Sequence, residues 1–195
     1  FHPVKHIATG EGGAITTNNK ELYDKVSLYR THGITKDPAL LLENHGGWYY
    51  EMQELGYNYR ITEFQAALGI SQLKRLDWSI ERRNEIAKKY DAAFANTSIL
   101  TPFRAENITH AFHLYIIQVD KRKELYDFLR QNNIFSQVLY IPAHTMPYYK
   151  QLGWKQGDMP VAEEYYSKCL ALPMFPSLTD EEQGWVIEKV IEFIS

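Results

Sequence analysis

Apolar residues at Ala66, Leu73, Leu76, Ile80, Ala87, Tyr90 and Phe94 recur at spacings of seven, three and four. That pattern predicts one helix with a single apolar seam reaching to about residue 96. Thr62 followed by Gln65 supplies a capping box at its start. Fewer than five heptads, with Arg83 inside the seam, favour ordinary intramolecular packing over a coiled coil.

On either side of this spine the elements are shorter. Residues 14–17 read as a strand, and Asn18 and Asn19 offer an N-cap for a helix over about 20–30. Residues 31–55 carry Gly33, Pro38, Gly46 and Gly47 without a steady apolar period and predict mostly irregular structure. His32 is read as a structural residue ending the preceding helix. Beyond Pro102 a strand over 113–119, a helix over 121–131 and a strand over 135–141 predict a small α/β layer. A loop with Pro142 and Pro147 leads to a helix near 160–170. An extended LPMFP stretch and a last helix capped by Thr179 with Glu182 complete the pattern.

Composition narrows the classes. A formal charge of -3 and a pI near 6.2, with acids and bases interspersed, offer no basic surface for a phosphate backbone or anionic lipid. Neither nucleic acid nor membrane is expected as a partner. The single cysteine, Cys169, excludes an intrachain disulfide framework and is read as a small apolar residue in a helix. No run approaches the roughly 18 apolar residues that span a bilayer, and no leader opens the chain, so the default location is the cytoplasm. Starting at Phe1 rather than at a methionine, the chain reads as incomplete.

Candidate chemistry begins at Lys5, in FHPVKHIATGEGG, where Pro3, Val4 and Ile7 predict an extended, partly buried setting. Such burial disfavours the ammonium form and suits an amine for Schiff-base formation. The alternative is a lysine whose stem lies on apolar surface while its head reaches water. Gly10, Gly12 and Gly13 permit a tight turn close to a ligand, although GEGG is neither a dinucleotide fingerprint nor a P-loop. Asn58 and Arg60 precede the Thr62 cap, where the unpaired N–H groups of a helix start attract anions. A turn asparagine and a surface arginine are the simpler reading there. His2 and His6 are kept off one helical face by Pro3, and no HExxH, CxxC or G-x-S-x-G occurs, so neither a metal site nor a hydrolase triad is expected. The Glu181–Glu182 pair belongs to the last helix cap.

The runs FHPVK, TGEGGAITTN, RTHGI and GYNYRITEFQAALGISQLKRLD resemble the DegT/StrS family of sugar aminotransferases, whose pyridoxal 5'-phosphate is carried on a lysine. Within it, WYYEMQELGYNYR is most similar to the branch that makes UDP-4-amino-4,6-dideoxy-N-acetyl-altrosamine for pseudaminic acid. The resemblance implies an α/β fold, the C-terminal portion of a type I aminotransferase. Residues 1–75 would be the end of the large cofactor-binding domain, and 76–195 a connecting helix and a small α/β domain. It places the cofactor on Lys5, which would serve as both covalent anchor and acid-base catalyst. It places Asn58 at the cofactor phosphate of the other subunit in a homodimer with shared sites. Arg60 is carried over as a substrate-binding candidate, its role open between donor carboxylate, nucleotide and structural acid. YIPAHTMPYYKQLG resembles the family's mobile loop at the nucleotide sugar, with His144, Tyr148 and Tyr149 as candidates.

The implied reaction is ping-pong transamination from L-glutamate to a UDP-linked 4-keto-6-deoxy-N-acetylhexosamine. The acid opposite the pyridine nitrogen and the residues stacked on the ring are expected to precede Phe1, so these 195 residues alone are expected to be inactive. The alternatives are a sugar dehydratase of the same family, in which histidine replaces the lysine, and a non-catalytic dimerisation or binding fragment.

Overall fold

In the computed structural model, which describes all 195 residues, Asn19 ends an irregular stretch by accepting the Leu22 amide at 3.1 Å and so starts α1 (Lys20–Arg30). The helix stops where His32 and Gly33 turn left-handed, at φ 65° and 67°. Residues 14–17 do not form a strand: they lie outside any ladder in this chain, and extended backbone becomes a strand only when another strand takes its hydrogen bonds. Within 31–55 the irregular path is closed by a two-residue antiparallel ladder between β1 (Ile34–Thr35) and β2 (Glu51–Met52).

The capping box forms as its residues dictate, with Thr62 Oγ1 accepting the Gln65 amide at 3.3 Å and Gln65 Oε1 accepting the Thr62 amide at 3.2 Å. The predicted single helix is nevertheless two, α2 (Glu63–Leu73) and α3 (Leu76–Phe94). Arg75, at φ −105° and ψ 0°, interrupts the ladder without proline or glycine. The chain divides there into two compact units, Phe1–Lys74 and Arg75–Ser195.

In the first unit Thr9 and Gly33 are the buried residues, and neither helix buries a side chain. Leu73, assigned to the apolar seam, is exposed, as are Phe64 and Ile70. Backbone hydrogen bonds hold this unit together. Tyr57 donates to the Tyr29 carbonyl at 2.7 Å and Tyr59 to the Arg30 carbonyl at 3.0 Å, so the GYNYR segment runs along the end of α1.

The second unit holds the core. β3 (Tyr115–Gln118) pairs antiparallel with β4 (Cys169–Leu172), and single bridges Leu100–Gln118 and Gln137–Ala171 extend the layer on either side. The strand expected over 135–141 is reduced to that one bridge. The helix expected to reach residue 170 ends at Lys168: α6 (Pro160–Lys168) passes directly into β4, so Cys169 opens a fully buried strand rather than sitting in a helix. Ile86, Tyr90 and Phe94 of α3 pack with Leu125 and Leu129 of α4 (Arg122–Gln131) and Val186 and Val190 of α7 (Asp180–Ile194). The Arg83 noted in the seam is buried among them and donates to the carbonyls of Phe112 at 2.8 Å and Met174 at 2.9 Å. No helix is long and apolar enough to cross a membrane.

Candidate active site

Lys5 sits in a turn closed by its own amide donating to the His2 carbonyl at 3.0 Å, not in extended chain, and it is exposed rather than partly buried. Local hydrogen bonding decides this, since no neighbouring strand competes for the His2 carbonyl. Two side chains fix the glycine turn that follows. The Glu11 carbonyl accepts from Thr9 Oγ1 at 2.6 Å and from Gln65 Nε2 at 3.2 Å. Gln65 therefore uses one amide atom to cap α2 and the other to grip the turn. Gly69 of α2 lies against Thr9, where a Cβ would come 3.2 Å from the threonine methyl. Gly10 and Gly12 adopt φ of 87° and 129°, which side chains disfavour; Gly13 is not left-handed. An exposed primary amine on a loop pinned to a helix N-terminus has the chemistry needed to hold an aldehyde cofactor.

Beside this turn a cleft of about 940 Å³ runs between α1 and the GYNYR segment, lined by Tyr23, Tyr29, Tyr57, Tyr59, Arg30 and Arg60 among others. The Tyr57 and Tyr59 rings stack at 4.9 Å and 7°. Asn58, between them, is exposed, bridges to Thr31 and lies outside the cleft lining. Lys5 is also outside that lining, so of Lys5, Asn58 and Arg60 only Arg60 reaches the cleft, together with Gly12 and Gly13 of the glycine turn.

The remaining candidates belong to the second unit. His144 lies in a short 3-10 turn, Ala143–Thr145, and is buried. Its Nε2 stands 2.7 Å from Glu163 Oε1. The His144 contact, followed by the Gly157 amide, holds the Glu163 carboxyl below the usual range. Tyr148 and Tyr149 follow in α5 (Pro147–Lys150), both exposed and edge-on at 5.4 Å. Sequence reasoning missed Glu163, Thr9 and the second role of Gln65. The capping box makes Gln65 visible, but no periodicity joins His144 to Glu163.

A family profile described as the DegT/DnrJ/EryC1/StrS aminotransferase family matches residues 1–191. The chain belongs to that family. Among its relatives, the spore coat polysaccharide biosynthesis protein SpsC of Bacillus subtilis is 42% identical over 100% of this chain and 52% of its own length. The UDP-4-amino-4,6-dideoxy-N-acetyl-beta-L-altrosamine transaminase of Campylobacter jejuni is 34% identical over 100% of this chain and 51% of its own. Helicobacter pylori PseC, an aminotransferase involved in the biosynthesis of pseudaminic acid, superposes with a TM-score of 0.87 at 30% identity, covering 100% of this chain and 52% of PseC. The fold is accordingly part of a type I aminotransferase. This DegT-family chain spans about half the length of the curated relatives it matches. Aminotransferases of the family depend on pyridoxal phosphate, and the sugar aminotransferase Spr1654 of Streptococcus pneumoniae is solved in its PLP form (TM-score 0.84, 28% identity, 100% of this chain, 51% of that one).

Proposed function

We propose that this chain is the lysine-bearing part of a nucleotide-sugar aminotransferase acting on a UDP-linked 4-keto-6-deoxy-N-acetylhexosamine, with L-glutamate as amino donor. The observation that carries the reading is Lys5 itself: an exposed amine on a loop tied through Thr9 and Gln65 to α2, within a chain whose family match runs from its first residue. When bound, pyridoxal phosphate supplies an electron sink that stabilises a carbanion at the substrate carbon. Lys5 Nζ would hold it through the aldehyde and, once displaced by an incoming amine, would accept and return the proton at the reacting carbon.

Asn58 would bind the cofactor phosphate of a partner subunit, its exposure leaving the amide open to a second chain. Arg60 would meet an anionic group of the donor or of the nucleotide in the cleft. His144 and Tyr148 would bind the nucleotide sugar.

Incubation of the intact protein with glutamate and a panel of UDP-keto-sugars, read by mass spectrometry, tests the reading. Amination of a 4-keto-6-deoxy sugar is expected; absence of transfer to every member would overturn it. Borohydride reduction should place the added cofactor mass on the peptide containing Lys5, and its appearance on a different lysine would refute that assignment.

A further inference from the structure

Every residue from Met146 to Pro160 is exposed, so apolar burial contributes little to holding this segment in place. Its two ends converge on one oxygen. Glu163 Oε1 takes His144 Nε2 at 2.7 Å, the Gly157 amide at 2.7 Å and the Met159 amide at 3.4 Å. His144 stands just before the segment; Gly157, at φ 95°, and Met159, the residue before α6, stand at its close. Between these anchors lie Tyr148 and Tyr149.

The carboxylate is in the first turn of α6, where the helix dipole favours a negative charge, and its side chain is only 18% exposed. A half-buried carboxylate reached by three donors is a strong tether compared with a solvated ion pair.

We propose that Glu163 is a positioning residue. By gripping both ends of 144–159 it fixes the loop that presents Tyr148, and the imidazole of His144, to the substrate. This role rests on the nucleotide-sugar reading above; the tether itself does not.

The two parts are separable in the intact protein. Hydrogen exchange is followed at the Gly157 and Met159 amides and over 145–153, and UDP is titrated by calorimetry as the probe of the nucleotide. Glu163→Ala should accelerate exchange at least tenfold and weaken UDP binding by a similar factor. Glu163→Gln keeps an acceptor for both amides and should restore most of the protection. Glu163→Leu, of similar size and without an acceptor, replaces the alanine variant if that one fails to fold. Unchanged exchange in both variants would overturn the tether. Faster exchange with unaltered UDP affinity would overturn the positioning role. A wild-type protein that binds no UDP would refute the nucleotide reading and the presentation role with it, while the exchange result would still decide the tether.

Discussion

Gly33 and Gly56 meet backbone to backbone: a Cβ on Gly56 would stand 2.2 Å from the Gly33 nitrogen, and one on Gly33 1.8 Å from the Glu54 carbonyl oxygen. This contact seats the GYNYR segment against the end of α1. Gly33 also needs its φ of 67°. Gly33→Ala is therefore expected to cost about 3 kcal/mol or more, combining left-handed strain with overpacking. Gly56→Ala, with the clash alone, should cost about 1–3 kcal/mol. Exchange at the His32 and Tyr57 amides, which bond across this contact, should accelerate in both. Unaltered protection in both variants would count against the packing.

Gln65 allows its two tasks to be separated. Gln65→Glu retains an oxygen for the Thr62 amide but turns an oxygen instead of a donor toward the Glu11 carbonyl. The start of α2 should hold while the glycine turn loosens by about 1–3 kcal/mol. Exchange over residues 10–14, compared with 65–69, would show it. Equal loosening of both stretches would mean that the cap and the grip are one unit.

Arg83 is a buried cation whose acceptors are backbone carbonyls, and burial lowers its pKa. Arg83→Ala should destabilise the second unit by about 3 kcal/mol, because the Phe112 and Met174 carbonyls lose a charged donor. Arg83→Lys, a point donor without the guanidinium fork, should recover only part of this. Urea denaturation measures both. A lysine variant as stable as wild type would show that the fork is dispensable.

Asp180 is held below the usual aspartate range by Lys89 at 2.6 Å and then by Arg82 at 2.9 Å. A depressed folded-state pKa gives stability that is fully present above the unfolded value, near 3.9, and is lost as pH falls through the folded one. The stability gap between wild type and Asp180→Asn should thus be constant near neutrality and shrink below about pH 4. A gap that persists unchanged into stronger acid would contradict the pairing.

If Asn58 acts on the cofactor of the partner subunit, mixed dimers of Lys5→Ala and Asn58→Ala chains contain one intact site and one doubly damaged site. Activity should return to up to about half the wild-type level. With both residues serving the same subunit's site, each site keeps one lesion and nothing is recovered beyond the parents. Asn58→Ala alone should weaken cofactor retention by tens to about a hundredfold, as expected for an amide bonded to a charged phosphate.

What the chain determined by itself is whatever depends on near neighbours. The bounds of α1 and the caps of α2 and α7 were legible because a cap is a contact between residues three apart, written as Thr62 with Gln65 or Thr179 with Glu182. The family runs put Lys5, Asn58 and Arg60 forward as candidates for the same reason, each lying inside a short contiguous stretch. Tertiary structure decided the rest. Residues 169–172 became a strand because Tyr115 faces Leu172 across a ladder, although the preceding sequence continues as a helix. Residues 14–17 lack such a ladder here. The seam broke at Arg75 because α2 buries nothing while α3 buries Ile86, Tyr90 and Phe94, a difference of surroundings that spacing does not encode. Glu163 came to hold His144 because a loop of exposed residues folds back on itself, and hydrogen bonds between distant side chains leave no period in a sequence.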